Sequence, residues 1–202
     1  MKQLERAFGI ARADLASVGL LDDGRYLDRI ECVRSPWPSG AWWECGWVYD
    51  GGVGPFRALV GFEPGVIYIP WNSRTTAYSP GATLTDVIRH EFAHAWYWLD
   101  SKHVDGPWFR DAFGARYQDA PSVAPESYDQ SAFVSKYAMT NAKEDFAETF
   151  MTYLRFRRSL GRFRRRGGVY DKLLAVHDAV TRAADLRVAR VRGLRVTRSA
   201  VQ

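Results

Sequence analysis

Cysteine is scarce: the 202 residues hold two, Cys32 and Cys45. That number rules out a disulfide scaffold and an all-cysteine zinc site, and two free thiols are expected. A single bridge is the alternative if the chain is exported. Long apolar runs are missing too, since nothing approaches the roughly 18 to 20 residues that a membrane-spanning helix needs. The opening stretch MKQLERAFGI carries charge where a secretory h-region would be apolar. No signal peptide is therefore expected there; the cytoplasm is the default compartment, with export by another route left open. There is no internal repeat and no low-complexity tract beyond an arginine cluster. What is present is a core-forming composition, 47% hydrophobic and 14% aromatic, which excludes disorder over most of the length. The size fits one domain.

The formal net charge of +5 is unevenly spread. Residues 1–154 carry 14 Lys/Arg against 20 Asp/Glu, a net of −6, and residues 155–202 carry 14 against 3, a net of +11. The cations concentrate at Arg155, Arg157, Arg158, Arg162, Arg164, Arg165 and Arg166 and continue to Arg198. A solvated helix end and tail accounts for such a stretch. Weak contact of Arg155–Arg198 with nucleic acid or anionic lipid is the sharper alternative.

Residues 2–21 place apolar side chains at helical spacing, with an end expected near Gly24. Arg34 to Gly54 is dense in Trp, Pro and Gly and reads as loop plus a short strand. The β-rich runs Phe56–Phe62 and Val66–Pro70 flank Glu63-Pro64-Gly65, a pair that suits a type II turn and hence a hairpin. Pro70 places the second run at a strand end or a sheet edge. Thr83 with Asp86 approximates a capping box for a helix reaching Leu99. A short helix is expected around Trp108–Tyr117, a strong one after Asn141, and a last one over Tyr170–Ala184. Strands first and helices afterwards predict an α+β domain with a small antiparallel or mixed sheet. The organisation expected is one domain over 1–202, with a core at about 56–158 and a basic C-terminal helix and tail over 159–202.

The chemistry sits in His90-Glu91-Phe92-Ala93-His94. Histidines four apart on a helix lie one turn apart on one face, so both imidazoles can reach one ion. Helical periodicity puts Val87, Ile88, Glu91, Ala95, Trp98 and Leu99 on the apolar stripe, with His90 and His94 on its flank. A catalytic zinc takes three protein ligands and leaves a fourth position open. The later helix offers Glu144 and Glu148, four apart on a face shared with Ala147, Met151 and Leu154. The economical assignment makes Glu144 the third ligand and Glu148 the acceptor of an N–H from a ligand histidine. Two alternatives stand beside it: Asn141 and Glu144 form only a capping box, or His103 is the third ligand. Asp145, on another face, is expected in solvent.

HEFAHAW followed by YAMTNAKEDFAETFMTYL resembles the gluzincin metallopeptidases of the anthrax lethal factor and Pro-Pro endopeptidase type. The resemblance covers about residues 66–156 and departs at Ala93, where glycine is usual. It implies a zincin-like fold, Zn2+ held by His90, His94 and Glu144, Glu91 as general base, and Glu148 behind a ligand. It also implies that Tyr137, seven residues before Glu144, donates to a developing oxyanion, against the plain alternative of a packed tyrosine. Endopeptidase action on protein or peptide is the function so implied, with strand Val66–Ile69 aligning substrate by edge pairing. The reading from a different class is a nucleic-acid- or membrane-associated protein with a degenerate metal site.

Overall fold

A computed structural model of the chain describes residues 2–21, 27–34, 46–48, 66–69, 82–117 and 129–191. Helix α1 (Lys2–Ala16) is followed by three short strands, β1 (Glu31–Arg34), β2 (Gly46–Val48) and β3 (Val66–Ile69). The helices α2 (Leu84–Leu99), α3 (Ser101–Val104), α4 (Pro107–Phe113), α5 (Ala142–Phe156) and α6 (Gly167–Val191) complete the described elements, with 3-10 turns at Leu27–Arg29, Tyr137–Thr140 and Leu160–Phe163. The α+β class expected from the sequence is therefore present, in a mainly helical form. The expected strand Phe56–Phe62 and its turn, Gly24, Cys45 and most of the Trp-rich segment lie outside the described residues.

The sheet is mixed, in the order β1-β3-β2, with β1 parallel and β2 antiparallel to β3. Alternation along β3 sends Ile67 and Ile69 into the main core and Val66 and Tyr68 into a small cluster on the opposite face. The expectation that Val66–Ile69 offers an edge to a substrate is corrected by this order. Both of its backbone edges are already paired, so β3 has no free ladder for an incoming peptide.

Helix α2 begins where the local chemistry dictates. The Thr83 hydroxyl accepts from the Asp86 N–H at 3.2 Å, and the Asp86 carboxylate accepts from the Thr83 N–H at 3.0 Å. These bonds satisfy two of the N–H groups that a helix start leaves open. Burial then exceeds the narrow stripe read from periodicity. Phe92, Ala93 and Trp96 are buried along with Val87, Ile88 and Ala95, because α1, β2 and α5 all pack on this helix. Leu99, placed on that stripe, is instead 38% exposed at the last turn. Ala93, where the resembling enzymes have glycine, fits its buried position with no exposed surface.

Helix α5 is capped by Asn141, whose side chain accepts from the Glu144 N–H at 2.9 Å. It crosses α2 through aromatic packing: the Trp96 ring lies 6.0 Å from Phe146 and 5.4 Å from Phe150. Edge-to-face and tilted aromatic pairs at such distances add to simple area burial. Helix α6 runs longer than the expected Tyr170–Ala184 and packs on α4 and α5. Val169, Leu173, Val176, Val180 and Ala183 repeat at four and three residues and join the same core as Leu4 of α1.

An ionic network fastens the ends of α1, α2 and α5. Asp14 receives Arg89 and, at 2.9 Å, Arg157; Asp86 receives Arg89 at 2.6 Å and Arg155 at 2.8 Å. Arg166 donates to the Gln130 and Phe133 carbonyls. Part of the arginine-rich stretch is thereby committed to holding the fold.

Candidate metal centre

Two helices build the centre. His90 and His94 project from α2, one turn apart, and Glu144 projects from the first turn of α5. His90 Nε2 and His94 Nε2 stand 3.1 Å apart. Glu144 Oε2 lies 3.2 Å from the first and 3.4 Å from the second. Among the described residues these three side chains form the group able to hold a metal ion.

Protonation decides what the three atoms do. His90 Nδ1 lies 2.9 Å from Glu148 Oε1, and a carboxylate there accepts the Nδ1 proton. The Nε2 lone pair of a neutral His90 then points at Glu144 Oε2 with no proton between them. Glu144 Oε2 is buried with no hydrogen bond. Three lone pairs converging in a buried place repel each other unless a cation sits among them. Tetrahedral ligation at about 2.0 to 2.2 Å sets ligand atoms roughly 3.3 to 3.5 Å apart, close to the separations found here. Two imidazole nitrogens and one carboxylate oxygen are also a donor set zinc favours. The residues fit a zinc ion.

Electrostatics show the same demand for positive charge. Burial opposes a charged His90, yet Glu144 and Glu148 lift its pKa to about 10. Burial alone would raise the Glu144 carboxyl, but the two imidazoles hold it well below the usual carboxylate range. The two carboxylates thus favour a positive charge at this place.

The surroundings hold these groups still. Glu148 is fully buried, and its Oε2 accepts from Ser135 Oγ at 2.6 Å, while Ser135 Oγ accepts from the Ala138 N–H at 3.0 Å. His94 Nδ1 lies 2.5 Å from the Tyr117 hydroxyl. Tyr137 opens the 3-10 turn before the Asn141 cap, with its ring 5.9 Å from that of His90. Its phenol donates to the Glu144 carboxylate. Burial first, then the charges of Glu144, Glu91 and Glu148, raise the Tyr137 phenol far above neutrality, so it remains a donor. Glu91 is buried in α2, and its charge also raises Tyr117, behind the larger effects of burial and Glu144.

Several sequence expectations change here. The cap at Asn141 exists, but through the Glu144 backbone N–H, which leaves the Glu144 carboxylate free to face the histidines. His103 Nε2 lies 2.9 Å from the Ala179 carbonyl on α6, away from the cluster. Asp145 is not in solvent: it is buried against Lys172 Nζ at 2.6 Å, and burial raises its pKa to about 6 despite that cation. Cys32 is a free thiol, pushed up to about 12 by burial against the pull of Arg34, so it stays protonated near neutral pH. Tyr117 and Ser135 went unread in the sequence. Tyr117 lies 23 residues past His94 and Ser135 13 before Glu148, and no helical period links such separations.

The sequence model of a family described as "Putative zinc-binding metallo-peptidase" matches residues 72–187. The match takes in α2, the centre and most of α6, beyond the reach of the motif resemblance. No curated protein and no solved structure matches the chain.

Proposed function

The chain belongs to this zinc-binding metallopeptidase family, and on that premise we propose that it is a zinc-dependent endopeptidase of the glutamate-ligand type. In this reading His90, His94 and Glu144 are the ligands, as in the gluzincins that its motifs resemble. The observation that carries the reading is the buried Glu144 Oε2, without a hydrogen bond and 3.2 and 3.4 Å from two imidazole nitrogens.

Zinc bound there supplies a Lewis acid that polarises the scissile carbonyl and brings the pKa of a water down to about 7. Each residue then has one task. Glu91, a buried carboxylate beside the centre, accepts the proton of the attacking water and passes it to the leaving amine nitrogen. Tyr137, held protonated, donates a hydrogen bond to the oxygen on which negative charge develops. Glu148 keeps the His90 proton on Nδ1, fixing the tautomer and the ring angle. Ser135 in turn holds Glu148.

The test is metal analysis of the purified chain, joined to digestion of a peptide library read by mass spectrometry. Expected are one zinc per chain and internal cleavage that stops on chelation and returns with added zinc. A chain that takes up no zinc when titrated would overturn the reading. Zinc uptake with cleavage of a non-peptide ester or amide alone would keep the metal and reject the peptidase.

A further inference from the structure

Ligand histidines need a partner for the ring nitrogen that faces away from the metal. That partner is usually a carboxylate, a backbone carbonyl or a water. His90 follows the pattern with Glu148. His94 does not: its Nδ1 faces the hydroxyl of Tyr117 at 2.5 Å. We propose that Tyr117 is a positioning residue of the metal centre, a phenol that fixes the tautomer and the ring angle of His94. The inference rests on the reading of His94 as a zinc ligand.

Several contacts fix the phenol itself. Tyr117 is 2% exposed, and its ring stacks on Tyr97 with centroids 3.5 Å apart and planes 6° from parallel. Tyr97 stands on α2, three residues after His94, so the platform and the ligand belong to one rigid element. Phe109 and Phe146 close in at 6.0 and 6.3 Å. The Tyr117 N–H donates to Asp105 Oδ1 at 3.2 Å, which anchors the backbone after α4. Ring and backbone are held independently, so the hydroxyl has one place to be. The His94 ring meets the Tyr117 ring edge-on, at 78°.

Chemistry fixes the direction of the bond. His94 Nε2 faces Glu144 Oε2 and His90 Nε2, and ligation requires its lone pair there. The proton must then be on Nδ1, and the phenol oxygen accepts it. A neutral acceptor supports the ring without adding charge to a site that already holds Glu91, Glu144 and Glu148. The two histidines are thus supported unequally, His90 by a carboxylate and His94 by a phenol. Burial alone would explain a phenol seeking any acceptor or donor; it does not require the hydroxyl to lie opposite the one His94 nitrogen that must carry the proton.

The test compares the full wild-type chain with Tyr117→Phe, which keeps the stack on Tyr97 and removes only the hydroxyl. Zinc affinity, measured by competition with a chromophoric chelator, is expected to fall about 10- to 100-fold, while the melting temperature of the metal-free chain changes little. The visible spectrum of the cobalt-substituted variant is expected to shift, because the His94 ring is free to tilt. A second measurement needs no variant. In the zinc-loaded wild type with 15N-labelled histidine, His94 should show a protonated Nδ1 whose hydrogen exchanges slowly with water. Unchanged zinc affinity in Tyr117→Phe, or a His94 Nδ1 hydrogen that exchanges freely, overturns the inference and leaves the zinc reading standing. A wild-type chain that binds no zinc removes both.

Discussion

His90 Nδ1 and Glu148 Oε1 lie 2.9 Å apart across two helices whose residues are 58 positions apart in the chain. The bond joins the turn of α2 that carries both histidines to the middle of α5, and both side chains are buried. Glu148→Gln keeps an acceptor for the Nδ1 proton and loses the charge, so zinc affinity should drop about 10- to 100-fold. Glu144→Gln removes the charge of the proposed third ligand, and there affinity should collapse and peptide hydrolysis with it. Chelator competition on the two variants orders them. Full affinity in Glu144→Gln would sink the ligand assignment.

Glu91 separates binding from chemistry. In the proposed mechanism it acts on the water and not on the ion, so Glu91→Ala should retain one zinc per chain and lose peptide cleavage. Metal analysis beside a peptide-cleavage assay checks both halves. Loss of zinc in this variant would place Glu91 among the groups holding the metal.

Tyr137 has two possible roles, oxyanion donor or packed ring. Tyr137→Phe leaves the ring beside His90 and deletes the hydroxyl. As an oxyanion donor it should lose about one to three orders of magnitude in kcat, with the zinc content unchanged. A kcat equal to that of the wild type returns the residue to packing.

The raised pKa of His90 gives the metal-free chain a definite pH dependence. Its folded value of about 10 stands above the ordinary 6.5. The stability it contributes is therefore fully present below pH 6.5 and is lost as pH rises toward 10. The melting temperature of the metal-free chain should fall across that window. Zinc must displace this proton, so the rise in melting temperature on adding zinc should grow across the same window. Thermal melts at several pH values, with and without zinc, read both slopes; parallel curves would contradict the coupling.

Asp86 and Arg155 form an ion pair whose two ends differ in worth. Asp86 is 1% exposed and serves the Thr83 cap, Arg89 and Arg155 together, while the Arg155 side chain is 40% exposed. Asp86→Ala leaves buried cationic and backbone groups without their acceptor and should cost about 3 kcal/mol or more. Arg155→Ala should cost no more than about 1 kcal/mol, because solvent screens its end. Urea denaturation of the metal-free variants compares them, and equal losses would mean that the network does not centre on Asp86.

Much of the centre was legible because its signals are local. A capping box links residues three positions apart, so Thr83 and Asp86 announced the start of α2 without reference to anything distant. The i, i+4 spacing of His90 with His94, and of Glu144 with Glu148, is a property of one helix turn and survives any tertiary arrangement. Asn141 marked the start of α5 for the same reason.

The rest belonged to packing. Only the crossing of α2 and α5 brings Glu144 Oε2 within 3.4 Å of both histidines, and that crossing depends on Trp96, Phe146 and Phe150 filling one volume. Asp145 looked solvated on its own helix, but α6 lays Lys172 and a row of aliphatic side chains over that face. Strand β3 could be seen as a strand, yet its central place came from pairing with β1 and β2 on either side. Tyr117 reaches His94 from a separate turn by stacking on Tyr97. The sequence by itself determined which side chains a metal can use, because helix periodicity and capping act within a few residues. Tertiary structure decided which partner faces Nδ1 of each histidine, because those partners lie 23 and 58 residues away in the chain.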